Sequence, residues 1–414
     1  MVIHTKETFQ EAERMKLKRI VSLQFLCCMV YFMSYVTRLD YAASLAAIVE
    51  DLNITKQIAS IAVTGSFITY GVGQIISGVL GDMIKPRKLI ALGLAGSSLI
   101  NLSMAFLPNI HWMTGFWCFN GFFQALLWPP LVRLMADNMT TKEYTEAVVS
   151  VSASASVATI LIYFIVPATL AVSGWRLVFV LAAVCGLGST LVWLRGTGNI
   201  REGNPVPQTE KGAAAVESRL SAVIPLLIPI MAAICLQGIL RDGITTWMPT
   251  YIYEVFDLGL SMSILTTAIL PVFGIISMKV AARVNRAVGN EVKTAMLLFA
   301  FSFAAAIIMV PLFSRSVVLC AIMMAVITGC MHGVNLMLIG NLPAYFAKYG
   351  KVSTVSGLLN ACTYIGSALS TYGFAALSDK FGWGFTIASW AVIAGSGMVI
   401  CIILTGKWKR FCEE

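Results

Sequence analysis

The sequence predicts an all-α membrane protein: twelve transmembrane helices in two pseudo-symmetric six-helix bundles, with both termini cytoplasmic. Three observations lead there: an apolar excess, twelve long hydrophobic runs and a basic bias on one side of them. Of the 414 residues, 58% are hydrophobic and only 12% charged, where soluble domains carry about 25% charged residues. A water-soluble chain could not hide so much apolar surface behind so little charge. The same arithmetic excludes a disordered chain and a disulfide-stapled secreted scaffold.

The hydrophobic runs fall near 20–50, 58–82, 89–107, 112–136, 147–171, 175–194, 222–253, 262–281, 293–313, 316–341, 353–378 and 383–405. Each is close to the roughly 20 apolar residues that a spanning helix needs. They lack the two-residue alternation of barrel strands and are about twice as long. The charged first nineteen residues (Lys6, Arg14, Lys16, Lys18, Arg19) flow into the first run without a signal-peptide cleavage site, and read as a retained cytoplasmic tail. With both ends inside, 23 of the 29 basic residues fall on the inner side, as the positive-inside rule requires. The net charge of +9 is therefore topological, and its spread over inner loops gives no nucleic-acid surface.

Five segments follow: a cytoplasmic tail over 1–19, a six-helix bundle over 20–194, a cytoplasmic linker over 195–220, a second bundle over 221–406 and a tail over 407–414. The linker is polar and rich in Gly, Pro and charge. A weak repeat crosses it: Gly121 answers Gly329, and Gly174-Trp175 answers Gly382-Trp383, both 208 residues apart. Near the start of each half, Arg38 answers Arg241. Two halves of six helices are a known transporter construction.

In spans one and seven, Arg38 and Arg241 each follow more than ten residues of mostly apolar sequence. A charged residue at that depth costs about 2.5–3.5 kcal/mol on insertion scales, so it faces a cavity and a partner. Two guanidiniums in equivalent places would form an anion site, each forking onto phosphate or carboxylate oxygens. The plainer alternative is local neutralisation by Asp40 and Asp242. Helical geometry argues against it, because Asp40 lies about 200° and Asp242 about 100° around the axis from its arginine. Tyr31, Tyr35 and Arg38 form one stripe of span one. Tyr70 and Gln74 in span two, Gln237 and Arg241 in span seven, and Asn360 and Tyr364 in span eleven are further i, i+4 pairs. Such stripes suit a hydroxyl-rich oxyanion, although tyrosine belts and amide links between helices also produce them. His332, the one histidine inside a span, falls 208 residues after Gln124 and is a candidate for substrate contact or titration. The ten cysteines are scattered, with no C-x-x-C, and read as packing residues. No metal, cofactor or catalytic constellation is expected, and the chain is not read as an enzyme.

The loop Gly78-Val79-Leu80-Gly81-Asp82-Met83-Ile84-Lys85-Pro86-Arg87-Lys88 is similar to the G-x-L-x-D-R-x-G-R-[RK] loop of the major facilitator superfamily. Met83 stands for its first arginine, and the second-half counterpart has Asn285 in place of the acid. Asp82, Arg87 and Lys88 are the expected conformational latch, a carboxylate near basic residues and a helix end. Span four, Asn120-Gly121-Phe122-Phe123-Gln124-Ala125-Leu126-Leu127-Trp128-Pro129-Pro130-Leu131-Val132-Arg133, resembles the N-G-x-x-Q-G-x-G-W-P-P-x-x-[RK] segment of the organophosphate:phosphate antiporter family. Residues 240–251, LRDGITTWMPTY, resemble that family's L-R-x-G-I-x-x-W-x-P-T-Y. The resemblance covers essentially the whole chain. It implies a rocker-switch secondary transporter in which Arg38 and Arg241 bind a phosphoryl group and exchange it for inorganic phosphate, with Tyr31, Tyr35 and Tyr70 lining the cavity. Gln74 replaces a lysine of the glycerol-phosphate transporter and Ser156 stands near its histidine, which argues against glycerol 3-phosphate as the cargo.

The expected partners are a small anionic solute (organophosphate, phosphate or carboxylate) and the lipid bilayer, with the chain a monomer in a bacterial inner membrane. A proton-coupled symporter of a carboxylate or sugar acid is the alternative, with Asp40, Asp242 and His332 as proton sites. A transporter-like membrane sensor of a phosphorylated sugar ranks last.

Overall fold

The computed structural model describes residues 2–54, 56–198, 200, 224–258 and 266–413. Most of the stretch expected to be the linker, 201–220, lies outside them. All regular structure among the described residues is helical. The helices are α1 (Val2–Asp51), α2 (Lys56–Met83), α3 (Pro86–Met104), α4 (Ile110–Ala125), α5 (Trp128–Asn138), α6 (Thr141–Ser173) and α7 (Trp175–Gly196). They continue with α8 (Ile224–Phe256), α9 (Ile269–Val288), α10 (Glu291–Met309), α11 (Val317–Asn335) and α12 (Val352–Glu413). Every expected apolar run carries a helix where it is described. Among the described residues, seven helical stretches, including Trp175–Gly196, Ile224–Met248 and Glu291–Leu312, are long and apolar enough to cross a membrane.

Local chemistry sets the breaks. Asn109, Asn290 and Ser316 cap α4, α10 and α11 by accepting a backbone N–H three residues on. At the start of α6, Thr140 and Glu143 exchange bonds in a capping box. The fourth run divides into α4 and α5 because Pro129 and Pro130 cannot donate to the turn before them. Ahead of Pro343, α11 likewise passes into wide i→i+5 turns over Leu336–Asn341 and tight 3₁₀ turns over Leu342–Tyr349. Gly174 (φ 78°, ψ −179°) separates α6 from α7, and Gly382 (φ 78°, ψ 171°) breaks α12 into two helices. That backbone region is essentially closed to residues with a Cβ.

Contacts divide the chain into two compact units, Met1–Gly73 with Leu80–Pro205, and Gln74–Val79 with Val206–Glu414. In the first, α1 packs on α6 and α7, and α3 on α4 and α7. An aromatic cluster anchors them: Tyr41 to Trp117 at 5.0 Å and Trp117 to Phe179 at 5.9 Å between ring centroids. Gly121 lets α4 lie against α2, since a Cβ there would meet Thr69 Oγ1 at 2.5 Å. In the second unit Gly329 does the same for α11 against α9, where a Cβ would meet Ser277 Oγ at 2.5 Å. α8 and α12 approach through Gly238 and Gly366, whose added Cβ atoms would strike the carbonyls of Thr363 and Cys235. Small residues at crossings are how helices associate where lipid removes the hydrophobic drive between them. The outward surface fits that solvent: Val172 is 83%, Phe106 76% and Phe164 75% exposed, a costly display in water and a favourable one in hydrocarbon.

Candidate functional site

In the first unit, Arg38 lies against the tyrosines that surround it. The Arg38 guanidinium carbon lies 4.2 Å from the centroid of the Tyr35 ring and 5.2 Å from that of Tyr70 on α2. Cation–π contact of this kind lowers the cost of holding a charge away from water. Tyr31 meets Tyr35 edge-on at 5.3 Å and Trp128 at 4.8 Å. Arg38, Tyr31 and Tyr35 are half-buried and Tyr70 is buried. Trp128 was not among the sequence-predicted site residues; its place as the first residue of Trp-Pro-Pro, turned inward by the break before α5, is the signal that pointed to it. Its indole nitrogen is buried without a hydrogen-bond partner.

Gln124 lies in a fully buried polar network. Its Oε1 accepts from Ser34 at 2.8 Å, and its Nε2 donates to Thr37 Oγ1 at 2.8 Å and Ser97 Oγ at 2.7 Å. Ser97 also donates to Asn120 Oδ1 at 2.6 Å, and Asn101 and Asn120 both donate to the Thr37 carbonyl at 3.0 Å. The amide thus ties α1, α3 and α4 together. Asp40 is buried on α1; Oδ1 accepts from the Tyr41 N–H, and Oδ2 has no hydrogen-bond partner.

The second unit handles its arginine differently. Arg241 Nε donates to Asp242 Oδ1 at 2.6 Å and Nη2 to Oδ2 at 2.8 Å, a two-point fork. This corrects the helical-geometry argument against neutralisation of Arg241 by the neighbouring acid. Angular position on the axis fixes only Cβ, and the long arginine arm reaches back to the carboxylate in a setting where both charges are largely withdrawn from water. Ser367 on α12 donates its hydroxyl to Asp242 Oδ2. The α8–α12 approach at Gly238 and Gly366 carries Ser367 to that distance. His332 on α11 is half-buried, with its ring against Gly274 of α9, and lies within electrostatic reach of Arg241 and Asp242.

Gln237 is buried, with Nε2 donating to the Met331 carbonyl at 3.2 Å and Oε1 accepting from Thr363 at 3.4 Å. Within the same unit, Asn360 Nδ2 donates to Gln74 Oε1 at 3.0 Å, joining two sequence-predicted residues. Tyr364 follows one turn after Asn360, half-buried.

At the expected latch, Arg87 Nε donates to Thr197 Oγ1 at 2.9 Å and Nη2 to the Leu194 carbonyl, so the cation sits on the C-terminal end of α7 where the helix dipole favours it. Asp82 is buried near the end of α2 and Lys88 is exposed. Arg133 donates to the Gly81 carbonyl at 2.6 Å and pairs with Asp137 at 3.5 Å. Among the described residues, no group of His, Cys, Asp and Glu is arranged to hold a metal ion.

The arrangement matches known proteins over most of its length. A probable hexose phosphate transport protein of Chlamydia pneumoniae is 24% identical over 391 residues, spanning 86% of this chain and 85% of that protein. The membrane sensor protein UhpC of Salmonella typhimurium is 24% identical over 409 residues, spanning 93% of this chain and 91% of that protein. Among solved structures, the transporter FucP in its outward conformation superposes with a TM-score of 0.76 at 13% identity, covering 93% of this chain and 99% of that one. The Major Facilitator Superfamily model matches residues 22–371, and the chain belongs to that superfamily of integral, multi-pass membrane transporters.

Proposed function

We propose that the protein is a secondary active transporter that moves an organophosphate or related small organic anion across the membrane by rocker-switch alternating access, in exchange for inorganic phosphate. Twelve spans, cytoplasmic termini, a monomeric state and a bacterial inner membrane complete the reading. The observation that carries it is a guanidinium in the first span of each half, one on a tyrosine stack and one in a carboxylate fork. Both cations are kept at membrane depth at a cost that an anionic cargo would justify. Two relatives matched over most of the chain point the same way, since hexose phosphate transport is what their names state.

The test is uptake of radiolabelled glucose 6-phosphate and phosphate into proteoliposomes loaded with or without internal phosphate. Wild type transports when internal phosphate is present; Arg38→Lys and Arg241→Lys keep the charge, lose the fork and fall at least tenfold, on the order of one two-point hydrogen bond. Full activity in both lysine variants overturns bidentate recognition. A second reading, a sensor of a phosphorylated sugar, is favoured by the likeness to a membrane sensor protein. Saturable binding of glucose 6-phosphate with no translocation under any gradient would select it.

A further inference from the structure

The anion-binding fork of Arg241 is already occupied. Asp242 takes the same two N–H groups, Nε and Nη2, that a phosphoryl or carboxylate group would take. The pair is partly withdrawn, with side-chain exposures of 15% for Arg241 and 31% for Asp242. The acid is also held from a second helix, because Ser367 of α12 donates to its Oδ2. Arg38 in the first unit lies instead on the faces of Tyr35 and Tyr70, and the acid two residues on, Asp40, accepts from the Tyr41 backbone.

We propose that Asp242 is a resident competitor for the cargo: it fills the Arg241 fork in the empty carrier, and the anionic solute binds by displacing it. This rests on the reading of Arg241 as a cargo-binding residue. Three consequences follow from the chemistry. Affinity is lower than the guanidinium alone would confer, because each binding event breaks an existing two-point pair. Release is correspondingly fast, because the carboxylate is at hand to retake the fork. Selectivity is left unchanged by the displacement itself, since every anion that takes the fork meets the same cost. Ser367 anchors the carboxylate in the fork, through a bond given up as the acid leaves, and so sets how easily it is displaced.

Isothermal titration of the purified full chain with inorganic phosphate, glucose 6-phosphate and gluconate tests this on wild type, Asp242→Asn and Ser367→Ala. Asp242→Asn is expected to bind phosphate about tenfold tighter or more, the equivalent of one charge-assisted hydrogen bond, and gluconate tighter by a similar factor. Ser367→Ala is expected to change affinity by a smaller factor, also toward tighter binding, because a less anchored carboxylate competes less well. Melting curves establish that each variant is folded; if Asp242→Asn does not fold, the sign of the Ser367→Ala shift decides. Wild type that binds phosphate while folded Asp242→Asn binds it equally or more weakly overturns the role of Asp242 and leaves the transport reading standing. Wild type that binds none of the three anions overturns both.

Discussion

The indole Nε1 of Trp383 donates to Glu254 Oε2 at 2.7 Å. Trp175 makes the corresponding bond to Asp51 Oδ2 at 3.0 Å in the first unit. In each unit the tryptophan follows a glycine with φ 78° and reaches the end of that unit's first spanning helix. The bend is what turns the indole toward the acid, so the glycine and the tryptophan act together. Gly382→Ala is expected to cost about 1–3 kcal/mol, the strain of a Cβ in a region open essentially to glycine alone. Trp383→Phe keeps the ring and loses only the donor, for about 1 kcal/mol, because the carboxylate is exposed. Thermal unfolding of purified protein should rank wild type above Trp383→Phe above Gly382→Ala. A reversed order of the two variants would show that the bend is not what matters.

Asp51 supplies a pH dependence. The Arg176 guanidinium, bonded at 2.7 Å, and then the Trp175 indole hold its carboxyl below the ordinary carboxylate range. A carboxyl that is more acidic in the folded state stabilises the fold above its unfolded pKa, and loses that contribution as pH falls through its folded value. The melting temperature of wild type should therefore fall more steeply below about pH 4 than that of Asp51→Asn. Because the pair is exposed, the difference should shrink in high salt. Parallel pH profiles for the two proteins would remove this contact from the stability of that end of the first unit.

Helix placement was legible because run length and lipid thickness are commensurate; the breaks before α5 and after α11 were not drawn, although prolines at 129, 130 and 343 stand beside them. The Gly-Trp repeat was legible too, since a backbone state that only glycine tolerates leaves a residue-level trace at Gly174 and Gly382. The stripe of Tyr31, Tyr35 and Arg38 followed from helical periodicity alone. Arg241–Asp242 did not, because the reach of a long side chain, and not its angle on the axis, decided the contact. The surroundings of Gln124 were equally hidden: an amide in an apolar span has the same appearance whether it faces a cavity or a buried network. Its partners Ser34, Thr37 and Ser97 are 90, 87 and 27 residues away in the chain.

The buried network makes Gln124 a stability residue by geometry. Gln124→Leu would strand the Ser34 hydroxyl and take a donor from Thr37 and Ser97, at about 1–3 kcal/mol for each buried polar group left without its bond. The expected outcome is a sharp fall in melting temperature and in the yield of monodisperse protein. Gln124→Glu, which keeps one acceptor and brings a charge into the network, should be as damaging. Unchanged melting with weakened anion binding in Gln124→Leu would instead place the amide in contact with cargo.

Tyr35 tests how Arg38 is held. The guanidinium carbon lies 4.2 Å from that ring, a contact worth about 0.5–2 kcal/mol depending on desolvation. Tyr35→Phe keeps the aromatic face and removes only the hydroxyl, whereas Tyr35→Leu removes the face and leaves apolar bulk. If the ring orients the guanidinium toward cargo, phosphate affinity should be nearly unchanged in Tyr35→Phe and reduced about two- to thirtyfold in Tyr35→Leu, the range that the contact energy converts to. Equal losses in both variants would assign the effect to the hydroxyl, and equal affinity in all three proteins would release Arg38 from dependence on its tyrosine.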